Sequence, residues 1–337
     1  MKSYHLTPGT SPEELTVGEH HEPEPGPGQV LVRVRASALS FRELAVLAGR
    51  YPLPIRPGVV PVCAGAGEVV AVGEGVDRVA PGDRVAATVF PRWIDGPFAM
   101  ENAAQLGSSL DGMLTELALL DANGLVRIPE HLSYEEAAAL PLTAVTAWNA
   151  LMGSGRALQA GETVLTLGSG AVSLFAVQFA KLAGARVIAT TSDEAKAVRL
   201  KELGADEVIN YAGTPDWPEA VRELTEGRGA DRVVDVVGSL EQSLRAVAFA
   251  GEVAFVGYGL AAPAVQPPTL GTLFMSVASL RAVAVGSRAH FTAMNRAITT
   301  HRMRPVIDRV FPFGEAAAAY RHHEAGRFFG QVIINHG

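Results

Sequence analysis

Two periodicities share this chain. Up to about residue 125 the apolar positions come in short alternating runs, QVLVRVR at 29–35, GEVVAVG at 67–73 and RVAATVF at 84–90, cut by Pro and Gly clusters. Period-two alternation belongs to strands with one buried face, and the punctuation closes each run as a turn. The first part therefore reads as a compact β-barrel or sandwich, with SFRELAVL at 40–47 as its one good helical turn. From Ile128 the pattern changes. Ser133 and Glu136 have capping-box spacing at a helix start, and 143–152 continues as another helix. Short apolar strands then alternate with helical segments at 163–167, 186–190, 207–210, 231–237, 251–256 and 280–285. That rhythm predicts a doubly wound parallel sheet in an α/β fold. Beyond it, 291–299 reads as helix, 305–313 as extended, 314–326 as helix and 331–334 as strand. This tail is too short for a third core. Domains are expected at 1–125 and 126–286, with 287–337 returning to complete the first.

The sharpest local signal follows the first of the later strands. Val164, Leu165 and Leu167 run into Gly168-Ser169-Gly170, and an amphipathic helix continues over 172–182. Glycines let a backbone turn tightly and approach a ligand. The first N–H groups of a helix lack acceptors and carry the positive end of its dipole, which suits the pyrophosphate of a dinucleotide. Ser173 stands where the third glycine of G-x-G-x-x-G belongs, so the motif alone also fits an ordinary strand-to-helix turn. The alternating strands around it favour the nucleotide.

Composition removes alternatives. A net charge of −7, spread along the chain, argues against nucleic acid or an anionic membrane as main partner and leaves a small-molecule substrate. Arg302, Arg304, Arg309, Arg321 and Arg327 gather late in the chain, but Asp308, Glu315 and Glu324 interleave them as on a solvated face. No charge-free apolar run approaches the roughly 18 residues of a membrane span, and the first residues lack a signal-peptide core, so a cytoplasmic protein is expected. The single cysteine, Cys63, excludes an intramolecular disulfide and any Cys₄ or Cys₂His₂ zinc site within the chain. In VCAG it reads as a small buried residue. His20-His21 and His322-His323 lack metal-binding helix spacing and read as surface.

The segments VLVRVRASALSFREL, AGAGEVVAVGEGVDRVAPGDRVAA, LPLTAVTAWNAL, GSGAVSLFAVQFAKLAGARVIAT, KELGADEVINY and GRFFGQVII span nearly the whole length. Together they resemble the medium-chain dehydrogenase/reductase superfamily, in its zinc-free quinone-oxidoreductase-like branch. The resemblance implies a GroES-like β-barrel catalytic domain completed by the C-terminal tail, a Rossmann domain, a cleft where they meet, and a homodimer paired through the strand at 280–285. Positions matching the Cys, His and Cys of a catalytic zinc are Ser40, Cys63 and Leu142, and 91–111 holds no cysteine for a structural zinc. No zinc is expected.

The same resemblance places cofactor contacts at Thr146 for the nicotinamide carboxamide, at Gly168, Gly170, Ala171 and Val172 for the pyrophosphate, at Gly238, and at Gly257 near the nicotinamide. Thr191 takes the position where an NAD enzyme carries an acid for the ribose, so NADPH is expected ahead of NADH. Ser192, Lys196 and Tyr211 match residues that hold the 2′-phosphate. Asp193 opposes this if its charge points inward. The structural alternative is a Thr191–Glu194 capping box with Lys196 solvated and Tyr211 packed. The family's C-terminal Gly-Lys reads Gly330-Gln331, so a charged contact at Gln331 is lost or replaced, with Arg288 as a candidate substitute.

Without zinc, alcohol oxidation loses its Lewis acid. Reduction of a quinone or an α,β-unsaturated carbonyl needs only donors for the growing oxyanion and proximity to hydride. Tyr51 matches an active-site tyrosine of similar reductases and is the candidate donor. Ser40 is expected as a cleft-lining donor and Glu43 as an orienting group paired with Arg42. The loop over 92–110, with Trp93, reads as a lid or a crossing. Three functions follow: a zinc-independent NADPH-dependent quinone or enone reductase, a zinc-free alcohol dehydrogenase or carbonyl reductase, and an NADPH-binding structural or regulatory protein.

Overall fold

In a computed structural model that describes residues 1–257 and 267–337, the chain divides into two compact units, Met1–Val145 with Gly286–Gly337, and Thr146–Val285.

The first unit opens with a hairpin, β1 (Lys2–His5) against β2 (Thr16–Glu19). Its main strands are β3 (Gln29–Leu39), β4 (Ala64–Val72), β5 (Arg84–Ala87), β6 (Leu117–Asp121) and β7 (Leu125–Arg127). Helix α1 (Phe41–Leu47) follows β3, and α2 (Tyr134–Ala138) starts on the expected Ser133–Glu136 capping box. The pairing of β7 with β5 keeps the chain in this unit past 125, and the unit runs on to Val145, about twenty residues beyond the expected border.

The second unit begins within α3 (Val145–Met152) and holds β8 (Thr163–Thr166), α4 (Ala171–Leu182), β9 (Arg186–Thr191), α5 (Glu194–Glu202), β10 (Glu207–Asn210), α6 (Trp217–Leu224), β11 (Ala230–Asp235), α7 (Leu240–Ala246), β12 (Val247–Phe255), α8 (Leu270–Ser276) and β13 (Ser279–Ala282). Its six strands are all parallel, in the order β10-β9-β8-β11-β12-β13. The order reverses between β8 and β11, the switch point at which such sheets bind ligands beyond their strand C-termini. Burial on both faces explains the unbroken apolar runs: Val164, Leu165, Val187, Ile188, Val233 and Val234 are all fully buried.

The tail groups with the first unit. Helix α9 (Arg288–His301), β14 (Ile307–Pro312), α10 (Ala316–Glu324) and β15 (Gln331–Asn335) belong to the first unit, where β15 pairs antiparallel with β3 and parallel with β14. The seven-stranded sheet runs β14-β15-β3-β4-β5-β7, with β6 also on β3. No helix among the described residues is long and apolar enough to cross a membrane.

Candidate functional site

Most sequence candidates of the second unit lie at or just beyond the C-terminal ends of its parallel strands. After β8, Gly168 takes φ +76°, a left-handed geometry suited to glycine, and its N–H donates to Thr190 Oγ1 at 3.0 Å. Gly170 caps α4, and a Cβ built there would meet no atom within 4 Å, so the turn faces open space beside the helix's first N–H groups. The observed cradle fits a pyrophosphate, with Ala171 and Val172 half-exposed at its rim. Ser173 is fully buried and donates its hydroxyl to the Leu167 carbonyl at 2.8 Å. The residue that breaks the glycine motif thus ties the strand end to the helix.

At the end of β9 lies buried Thr191, with Ser192 exposed beside it. The Tyr211 N–H, just past β10, donates to the Thr191 carbonyl at 3.0 Å, and the Tyr211 ring is exposed. Register alone therefore brings Thr191, Ser192 and Tyr211 to one corner of the sheet. The Thr191–Glu194 capping box does not form. Asp193 caps α5, its carboxylate accepting from Lys196 N at 2.9 Å, while Thr191 Oγ1 accepts from Asp193 N. Glu194 instead accepts from Asn210 Nδ2. The Asp193 charge is used on the helix start, where the dipole favours it. Tyr211 does not pack into the core.

Sequence reasoning missed Asp235. Fully buried at the end of β11, it accepts from the N–H groups of Val237, Gly238 and Ser239 through Oδ1 and from Ser243 Oγ through Oδ2. Burial pushes its carboxyl above the usual range against these four donors. It builds the turn that presents Gly238, φ +84°. An acid closing an apolar strand three residues before a glycine was the available signal. Gly257, after β12, approaches so closely that a Cβ would stand 1.9 Å from the Val236 carbonyl oxygen. Thr146 is buried on α3.

In the first unit, α1 places a polar cluster inside the core. Arg42 and Glu43 are 6% and 1% exposed and form the expected pair, Nη1 to Oε1 at 3.0 Å. The Cys63 N–H donates to the same oxygen at 3.3 Å. Arg42 further donates through Nη2 to the Leu106 carbonyl at 2.9 Å and to Gln105 Oε1 at 3.0 Å. Half-buried Tyr51 donates its hydroxyl to that Gln105 oxygen at 3.1 Å, and the Arg42 guanidinium lies 4.8 Å from its ring centroid. Burial works against the Arg42 charge, but Cys63, Glu43 and Tyr51 raise its pKa overall. Ser40 caps α1 without a side-chain bond, its hydroxyl buried. Gln105 was invisible in the sequence because it reaches Arg42 across 63 residues of chain.

Other expected residues make contacts within the first unit. Gln331 is buried, donating to the Leu39 carbonyl at 2.7 Å and accepting from Thr143 Oγ1 at 3.4 Å. Arg288 donates to the Asn123 carbonyl at 3.0 Å. Trp93 is 4% exposed between Phe90 and Phe98, so it forms the hydrophobic heart of its own loop. His323 is not on the surface: it is buried, stacked 4.7 Å from Phe328, and desolvation lowers its pKa to about 4.

Comparison with known proteins gives these units a lineage. Residues 26–130 match the family described as alcohol dehydrogenase GroES-like domain, and 171–300 match zinc-binding dehydrogenase. A zinc-type alcohol dehydrogenase-like protein of Schizosaccharomyces pombe is 38% identical over 96% of this chain and 95% of its own. A quinone oxidoreductase of Pseudomonas aeruginosa is 33% identical over 96% of each. The chain belongs to the medium-chain dehydrogenase/reductase superfamily, in its quinone-oxidoreductase-like branch. Among solved structures, an NAD-dependent alcohol dehydrogenase superposes with TM-score 0.89 at 35% identity, covering all of both chains. A mycobacterial protein complexed with NADPH does so with 0.83 at 27%, again over both chains in full.

As a member of this superfamily the protein is an oxidoreductase with a GroES-like unit and a Rossmann-type nucleotide-binding unit. The catalytic-zinc positions do not fit a metal. Leu142 offers no donor, and burial, with the Glu43 charge adding to it, raises the Cys63 thiol well above its usual range. No cluster of three or more His, Cys, Asp or Glu among the described residues could hold a metal ion.

Proposed function

We propose that the protein is a zinc-independent, NADPH-dependent reductase of quinones or α,β-unsaturated carbonyls. The observation that carries the cofactor choice is the corner formed by Thr191, Ser192 and Tyr211, where the nearby acid, Asp193, is bound to the start of α5. That corner offers the Ser192 and Tyr211 hydroxyls to a 2′-phosphate, with the Asp193 carboxylate turned onto the start of α5 and Lys196 in the first turn of that helix. The NADPH complex of a relative agrees with it.

Bound nicotinamide supplies hydride. The chain's part is to hold the dinucleotide on the Gly168–Gly170 turn and to donate a hydrogen bond from Tyr51 to the oxygen that gains charge, with the buried Arg42–Glu43 pair behind it. A donor suffices for an already electron-poor carbon. The reading includes a cytoplasmic setting and a homodimer formed through β13, an edge strand on which Leu280 is exposed, as are Phe274, Met275 and Val277 in the segment before it.

The second reading, alcohol dehydrogenase or carbonyl reductase, is favoured by the NAD-dependent alcohol dehydrogenase among similar structures. Steady-state oxidation of NADPH and NADH over a quinone, an enone, an aldehyde and a ketone separates the two. Quinone or enone turnover with lower KM for NADPH is expected. Turnover confined to simple ketones, or a clear NADH preference, sinks the corresponding part, and tight NADPH binding without turnover returns the protein to a structural or regulatory role. Light scattering tests the dimer, and a monomer refutes it.

A further inference from the structure

We infer that Gln105, locked in one orientation by Arg42, is a positioning residue for Tyr51. It gives the loop over 92–110 a role and rests on the reading of Tyr51 as the substrate's hydrogen-bond donor.

Gln105 is fully buried, and its Oε1 takes three donors: Arg42 Nη2 at 3.0 Å, Arg42 Nε at 3.3 Å and the Tyr51 hydroxyl at 3.1 Å. A carboxamide can ordinarily turn over and exchange oxygen for nitrogen. Here it cannot, because the turned amide would set an NH₂ against two guanidinium N–H groups. Arg42 is itself immobilised by Glu43 and the Leu106 carbonyl. The acceptor facing Tyr51 is therefore fixed as an oxygen, and the phenol's one proton points at it.

The third bond on that oxygen is also the cheapest to give up. When the Tyr51 proton swings to a substrate oxygen, Oε1 keeps both Arg42 bonds, so no buried acceptor is stranded. Tyr51 is thus oriented in the resting protein yet free to donate when charge develops. The step transfers a hydrogen bond and leaves every covalent bond intact. Gln105 Nε2 has no partner within the described residues, which leaves the oxygen as the working end of the side chain.

The test uses the full-length protein and phenanthrenequinone with NADPH. Tyr51→Phe and Gln105→Met are each expected to lower kcat on the order of 10-fold or more with KM for NADPH unchanged, and the double variant to lose no more than either single one. Gln105→Glu, whose carboxylate accepts the same three donors but holds the phenol more tightly, is expected to keep more kcat than Gln105→Met and less than the wild type. Multiplying losses in the double variant, or wild-type kcat in Gln105→Met, overturns the inference. An unchanged Tyr51→Phe overturns the Tyr51 role and the inference with it. A wild-type protein that turns over no quinone signals failure of the functional reading instead, and a second readout still decides the positioning. In protein carrying labelled tyrosine, the Tyr51 Cζ signal should move one way in Gln105→Met, which removes the acceptor, and the opposite way in Gln105→Glu, which strengthens it; a signal indifferent to both refutes it.

Discussion

Thr191 carries the cofactor argument at the scale of a single side chain. It ends β9 at the place where an acid would take ribose hydroxyls, and its carbonyl holds the Tyr211 backbone alongside. Putting a carboxylate there should set a negative charge against a 2′-phosphate and offer a ribose an acceptor. Thr191→Asp is expected to raise KM for NADPH by roughly 10-fold or more, about 1.4 kcal/mol, while KM for NADH falls. Parallel changes in both constants would mean that Thr191 does not touch the discriminating phosphate. The identity of this residue was legible in the sequence; the fate of Asp193 two places on was not. Its carboxylate could face the ligand or the helix, and only the backbone path after β9 turns it onto Lys196 N.

Elements set the candidate site by where they end. Six parallel strands stop at one edge of a sheet; the end of β9 supplies Thr191, and the turns beyond β8, β11 and β12 supply Gly168, Gly238 and Gly257. Periodicity located these strands to within a few residues, because burial on both faces demands apolar runs. How closely successive turns approach is a tertiary quantity. The exit of β12 lies against the exit of β11, leaving no room at Gly257 beside the Val236 carbonyl. Gly257→Ala should force backbone apart at both turns, at a cost of about 1–3 kcal/mol and with weakened nucleotide affinity. Urea unfolding together with nucleotide titration checks this, and unchanged values in both would show that the close approach relaxes freely.

At the scale of the whole chain, the C-terminal return brings charge-sensitive groups into the first unit. Burial lowers the pKa of both His323 and His336 to about 4. His336 lies between Ser37 Oγ at 2.9 Å and the Thr115 carbonyl at 3.1 Å, a neutral ring's pattern. Their ordinary value is about 6.5, so the unfolded chain binds these protons more tightly than the folded one. Stability from the two neutral rings is complete above about pH 6.5 and is lost as pH falls toward 4, by roughly 3 kcal/mol per ring. Denaturant unfolding from pH 7 to 4 should show the decline, and His323→Phe should reduce its slope by about half. An unaltered slope would place the acid sensitivity elsewhere. In sequence, His322-His323 reads as a surface pair; α10 carries both, and helical spacing sends His322 to Asp308 and His323 into the core.

By itself the sequence determined the two-part organisation, the glycine turn, the returning tail and the missing zinc donors, because periodicity, backbone freedom and ligand chemistry are properties of residues and short segments. The tertiary structure decided which polar groups are already engaged. Asp193 serves a helix, Asp235 a turn, Gln331 and Arg288 their own unit, and Gln105 the pair of Arg42 and Tyr51. A buried polar atom binds whichever partner the fold sets within about 3 Å, and that partner can lie a hundred residues or more away in the chain.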